Sequence, residues 1–261
     1  MKRLLLIAFC VVGFAPLSLL ADDGEWGHLK GRFVYDGPIP KVKSFPVTID
    51  RGAIGDEVAD ESLVVNETDK GIANVIVYLL TDADTELPVH PSYDDSAEAK
   101  VELTMDDGRF LPRVALLRST QTIDLHNKDT VAYCAKADFT KNLAFAYLVP
   151  ATKDREHRLT DEEPMPAVVS CAVHPWMRAY ILVRANPYMA VSDASGTFEI
   201  KNLPVGKHEF RFWHERVGWL REVQIGMYKT DAKGRLTVAV EPGENNLEFS
   251  ELPPELFETE K

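Results

Sequence analysis

Cys171, His174 and Met177 stand three residues apart in the stretch SCAVHPWMRAY. A thiolate, an imidazole and a thioether form a soft donor set, the kind that suits copper. Pro175 stiffens the segment between them, and Trp176 is placed to shield a centre from water. Such rigidity is what a metal that changes oxidation state requires of its ligands. A fourth ligand, typically a second histidine, has to come from elsewhere in the chain. The plain alternative is a buried Cys and Met packing the end of a β-sandwich, with His174 capping a loop.

The elements that position these residues read as β. Cys171 closes the apolar run PAVVSCAV and Ala179 opens another, AYILVRA, so the three residues fall on a loop between two strands. HLKGRFVYDG alternates and then turns, NVIVYLL reads as a buried strand, and QTIDLHN and NLAFAYLV continue the pattern. Asp106-Asp107-Gly108 inside KVELTMDDGRFLPRVALL signals a hairpin. One or two short helical turns are expected in DREHRLTDEEP or near PSYDDSAEAK, the latter beside the loop residues His90 and Tyr93. Beyond RANPYMAVSD, turns at Ala194-Ser195-Gly196 and Leu203-Pro204-Val205-Gly206 separate strands at the spacing of a small sandwich. The tail PPELFETEK is polar.

The first 21 residues read differently. Lys2 and Arg3 precede an apolar run from Leu4 to Leu20, and Ala21 stands before two aspartates. This is the pattern of a cleaved export signal, and it predicts a periplasmic or extracellular protein. An uncleaved membrane anchor is the other reading of the same stretch. Without Lys2 and Arg3 the chain carries 27 basic against 41 acidic side chains, a net charge of −14. That charge repels nucleic acid. Two cysteines remain after Cys10 leaves with the signal, Cys134 and Cys171, and an oxidising compartment favours their pairing. No Gly-rich phosphate loop and no G-x-S-x-G is present, and a non-enzymatic role is expected.

NKDTVAYC followed by VVSCAVHPWMRAYILV resembles the cupredoxins, the blue-copper proteins. The likeness is closer to exported bacterial proteins of a methylamine-utilisation-like type, over about residues 28 to 225, through the HPWM and WHE stretches. The C-terminal part resembles the carboxypeptidase-regulatory or transthyretin-like sandwich, related to the middle domain of rhamnogalacturonan lyases. The expected fold is therefore all-β. A cupredoxin-like Greek-key sandwich covers 22–187, a transthyretin-like sandwich 188–252, and a polar tail 253–261. The implied function is copper binding and one-electron transfer with a redox partner protein. The alternative is a metal-free scaffold that binds carbohydrate or protein.

The resemblance implies ligands at Cys171, His174 and Met177, and a first ligand His in a segment N-x-D-x-x-x-H-N. Here Asn127 and Asp129 match, but Tyr133 stands at the histidine and Cys134 at the following Asn. In cupredoxins that following residue lies beside the ligand sulfur and hydrogen-bonds toward it. Three outcomes follow for this chain: a Cys134–Cys171 disulfide with no metal, a two-sulfur site for Cu(I) or zinc, or Cys171, His174 and Met177 with a substitute ligand. His126 is the candidate substitute, although alternation places it with Asp124 on the face opposite Ile123, Leu125 and Asn127. Tyr133 is a weaker oxygen donor. The family also tends to carry cysteines near Gly108 and within Arg51–Asp56, and neither is present. Trp213, His214 and Trp219 form a candidate carbohydrate or partner contact, against an ordinary role in packing. Asn66-Glu67-Thr68 matches a glycosylation sequon but is not read as one, because the leader looks bacterial.

Overall fold

The computed structural model describes residues 26–81 and 87–258. The expected signal segment lies outside them. Four β-sheets stack face to face, and the packing follows from which strands are apolar on one side and which on both.

The chain enters with β1 (Trp26–Tyr35) and makes an excursion of β2 (Ser44–Pro46), one helical turn α1 (Arg51–Ile54) and β3 (Glu57–Ala59). It returns through β4 (Ile76–Leu80). Nine strands follow in the central part of the chain. They are β5 (Lys100–Asp106), β6 (Arg109–Leu111), β7 (Val114–Arg118), β8 (Thr122–Asn127), β9 (Tyr133–Ala137), β10 (Phe145–Val149), β11 (Asp154–Arg158), β12 (Ala167–Cys171) and β13 (Arg178–Arg184). The last part contributes β14 (Met189–Val191), β15 (Thr197–Pro204), β16 (Gly206–His214), β17 (Gly218–Trp219), β18 (Gln224–Ile225), β19 (Tyr228–Lys229), β20 (Arg235–Val240) and β21 (Gly243–Leu252).

The first layer is β15-β1-β21. It packs on a second, β14-β4-β16-β17 with β20 beside β16, around Phe33, Phe198, Phe210, Phe212 and their neighbours. The third layer is β10-β9-β12-β13-β7 and the fourth β11-β8-β5-β6, and their shared core includes Leu103, Ile123, Tyr133, Val169 and Ile181. Between the second and third layers lie Ile76, Tyr78, Val114, Tyr180, Leu182 and Trp213. This arrangement explains why β4 and β13 are continuous apolar runs. Val77 and Leu79 face one core while Ile76 and Tyr78 face the other, and β13 divides its side chains the same way.

Strand pairing redraws the division expected at residue 187. β1 and β4, from the N-terminal part, pair with β15, β21, β14 and β16 of the C-terminal part. The C-terminal strands alone do not close this sandwich; β1 lies at the centre of one of its sheets and β4 inside the other. The central sandwich is inserted between them. Of the two places open to a short helical turn, DREHRLTDEEP does not hold one. Asp154–Arg158 is a strand, because it lies antiparallel along β8 and satisfies its backbone there. The turn near PSYDDSAEAK exists as a 3-10 turn over Pro91–Tyr93, capped by His90. The hairpin at Asp107-Gly108 is present with both residues at positive φ, 49° and 67°, as a two-residue turn of this hand requires. Among the described residues no helix is long and apolar enough to cross a membrane.

Candidate metal centre

β12 ends at Cys171, and the chain turns sharply before β13. Met177 N–H donates to the His174 carbonyl (3.0 Å), closing a four-residue turn whose second position is Pro175. Proline pre-sets φ at that position. Ala172 N–H donates to the Cys134 carbonyl, tying the start of the loop to β9 (3.2 Å). Cys171, His174 and Met177 are all buried, at 4%, 0% and 1% exposure, so the donors sit inside the core and not on its rim.

Cys171 Sγ lies 3.5 Å from His174 Nδ1. Two further contacts define this pair. The backbone N–H of Cys134 points at Cys171 Sγ (3.4 Å) and donates to the sulfur. On the far side of the imidazole, His174 Nε2 is 3.0 Å from Asp50 Oδ2. A carboxylate only accepts, so Nε2 carries the hydrogen and Nδ1 turns its lone pair toward the sulfur. Metal-binding histidines are commonly held in this way, by a carboxylate on the nitrogen away from the metal. The donor set is soft and the imidazole is in the correct tautomer, and on those grounds the residues fit copper.

Asp50 had no signal in the sequence. It lies 124 residues before His174, in the excursion ahead of α1, with left-handed backbone (φ 57°) that aspartate tolerates. The indole of Trp176 donates to the Gly108 carbonyl (3.1 Å). Asp129 accepts from the amides of Asp107 and Gly108 (both 3.2 Å) and from the Tyr133 hydroxyl. The Asp107-Gly108 turn, β9 and the Cys-His-Met loop thus meet at one end of the inserted sandwich. The two regions marked for missing cysteines also meet here: Ile54 is so close that a Cβ built on Gly108 would lie 2.6 Å from its Cγ2.

The fourth position is where the site departs from expectation. Tyr133 is fully buried, and its ring packs edge-on against His174 with centroids 4.9 Å apart. Burial, followed by the hydrogen bond to Asp129, pushes its hydroxyl far above the ordinary phenol range. It stays a neutral donor committed to Asp129, and the oxygen-ligand reading fails on that ground. His126 is not brought to the loop either. It lies in the other sheet and pairs with Asp154 on β11.

The expected Cys134–Cys171 disulfide is corrected as well, since both cysteines are free. Cys171 lies opposite Ala135 across the β12–β9 ladder, so its side chain shares the core face with Ala135. Cys134, one residue earlier in β9, falls on the opposite face, across from the exposed Leu148. It is the amide of Cys134, not its thiol, that meets the sulfur. The same alternation removes the two-sulfur site.

Trp213, His214 and Trp219 do not form a carbohydrate platform. Trp213 is 5% exposed and packs at a tilt against Tyr180 (ring centroids 4.9 Å apart) between the second and third layers. The face of Trp219 is covered by the Arg211 guanidinium at 4.3 Å. His214 is 1% exposed, with Phe257 edge-on to its ring, and its Nδ1 accepts from the Arg216 amide (3.3 Å). Burial, with Arg216 and Arg113 nearby, lowers its pKa to about 3. The folded state keeps this histidine neutral while the unfolded chain protonates it near its ordinary value of about 6.5. Stability is therefore expected to fall as pH drops from about 6.5 toward 3. His214→Leu should flatten that limb in urea titrations across the same pH range, whatever it does to stability at neutral pH.

No protein-family model matches the chain, and no curated protein does. Solved structures similar to part of it include a copper-containing nitrite reductase and two small cupredoxin-type proteins. The copper-containing nitrite reductase of Thermus scotoductus SA-01 is 17% identical over 40% of this chain and 25% of its own, with a TM-score of 0.29. The chain thus spans a quarter of that protein's length. A purple cupredoxin from Nitrosopumilus maritimus is 17% identical over 33% of this chain and 99% of its own (TM-score 0.28). Amicyanin from Paracoccus versutus is 14% identical over 41% of this chain and 97% of its own (TM-score 0.28).

Proposed function

We propose that this protein is an exported, non-enzymatic copper-binding protein that holds the metal as Cu(I) through Cys171, His174 and Met177. The observation that carries the reading is the relay Asp50–His174–Cys171. A carboxylate fixes the imidazole so that its free nitrogen faces a buried thiol 3.5 Å away, whose sulfur already receives a backbone N–H. When bound, copper supplies a one-electron couple. The residues themselves supply a dry pocket, two sulfur donors and a correctly oriented nitrogen. Thiolate and thioether donors favour Cu(I), and with Tyr133 turned to Asp129 no fourth donor comes from the position where the resemblance expects one. The leader-like residues 1–21 support export, and a redox partner protein fits the one-electron couple.

The test is competition for Cu(I) against a chromophoric chelator. One equivalent should bind, and Cys171→Ser and His174→Ala should each weaken binding by more than about 100-fold, beyond the range of second-sphere changes. Failure of the folded wild-type protein to take Cu(I) from the chelator would overturn the reading.

A second reading has its own observation. Tyr133 stands where the resemblance places the first histidine, and its hydroxyl is engaged elsewhere. On that reading the relay is a metal-free structural core of a protein-binding scaffold. It predicts no copper uptake and no copper-dependent rise in melting temperature.

A further inference from the structure

We propose that residues 44–59 form a strap that gates the Cys171–His174 centre, hinged at its neck and latched by Asp50. The inference rests on the metal reading for its purpose, but its geometry stands without it.

The strap leaves and rejoins the body at nearly one point. At the neck, Asp60 N–H donates to the Lys43 carbonyl (2.7 Å), and further in Val47 N–H donates to the Asp56 carbonyl (2.8 Å). The residues just past the neck are tied to the body, Asp60 to Arg216 (3.3 Å) and Glu61 to Arg109 (3.0 Å). Between those fixed ends the strap is thinly held. The paired residues of β2 and β3 are exposed except Val58. Only Val47 and Val58 are buried in the core of the inserted sandwich, with Ile54 partly buried against it. None of the four strand pairings that build the third layer involves a strap strand, so its strands add nothing to that sheet.

What the strap covers is specific. Asp50 holds His174 Nε2, and Ile54 packs over Gly108, its Cγ2 2.6 Å from where a Cβ would stand. A small open hollow of 260 Å³ between Phe45, Pro46, Thr48, Pro175 and Trp176 separates the strap from the tip of the metal loop. Tyr133 and Trp176 pack on the ring of the fully buried His174, and the strap covers its Nε2 edge through Asp50. A segment with few buried contacts and fixed ends opens at a lower free-energy cost than the sheets around it. Opening would expose the imidazole edge and Cys171 without disturbing β9, β12 or β13. Metal entry, release and contact with a partner would then all depend on the same motion.

The experiment uses the metal-free full protein, so that it is independent of the copper reading. Cys171 is labelled with N-ethylmaleimide under native conditions and followed by mass spectrometry, with the half-buried Cys134 as internal reference. Asp50→Ala should accelerate labelling of Cys171 about tenfold, as loss of a charge-assisted hydrogen bond predicts, and leave Cys134 unchanged. Val47→Ala, which trims a buried anchor of the strap and keeps Asp50, should accelerate it too. In the unmodified protein, hydrogen exchange at the Val47 amide, inside the strap, should be faster than at Ala135 and Val169. Equal protection of these amides, or Cys171 labelling that follows global unfolding in every variant, would overturn the gate. If the gate passes but Cu(I) is not bound, the metal reading fails alone.

Discussion

Tyr133→His is expected to turn a protein that is nearly colourless with Cu(II) into an intensely coloured one. The side chain at 133 is fully buried and its ring lies against His174, the imidazole whose Nδ1 faces Cys171 Sγ. A histidine there is smaller than tyrosine, so it fits without overpacking, at a packing cost of about 2 kcal/mol. It adds a nitrogen donor to the cysteine sulfur, imidazole and thioether already on the loop. It also releases Asp129 from the tyrosine hydroxyl, but that carboxylate keeps the amides of Asp107 and Gly108. The readout is the visible absorption from thiolate-to-copper charge transfer on addition of Cu(II). Tyr133→Phe is the control, because it removes the hydroxyl without adding a ligand and should stay colourless. A Tyr133→His protein that binds copper stoichiometrically and shows no such band would mean that the loop is not arranged as a copper geometry.

The second large effect concerns the joint between the two sandwiches. Arg113 donates to both carboxylate oxygens of Glu215 (2.8 and 2.7 Å), and the Tyr180 hydroxyl donates to the same group (3.2 Å). The two side chains are only 12% and 6% exposed. Arg113 precedes β7 in the third layer and Glu215 follows β16 in the second, so the pair links the layers beside Trp213. Glu215→Ala leaves a guanidinium nearly out of water without its carboxylate, holding only the Arg178 carbonyl (3.0 Å), and should cost about 3–5 kcal/mol. For a chain of this size that is a fall in melting temperature on the order of 10 °C. Replacing both partners, Arg113→Met with Glu215→Leu, should recover most of the loss, because the cost lies in the orphaned charge and not in the missing attraction. If the single variant melts within about 2 °C of the parent, the joint is held by the apolar contacts of Tyr78, Tyr180 and Trp213 alone.

Much of this architecture was legible in the residues, and the boundary of legibility has a physical form. Local patterning determined what is local. The alternation of QTIDLHN aims Ile123, Leu125 and Asn127 inward, the Asp107-Gly108 turn needs its positive φ, and the strand-loop-strand unit around His174-Pro175 needs only its own proline and flanking apolar runs. The Cys171–His174–Met177 spacing was equally plain, because all three donors lie on one loop.

Only the tertiary structure decided the rest. β1 and β4 join strands more than 100 residues later, since either half of the terminal sandwich alone would expose an apolar sheet face. Whether Cys134 meets Cys171 turned on register: a step of one residue moves a side chain to the other face of a sheet, so two cysteines in adjacent strands can be neighbours through backbone and strangers through sulfur. Asp50 reaches His174 by an excursion of the chain that no periodicity marks, and a single hydrogen bond between distant residues leaves no trace in the spacing of either.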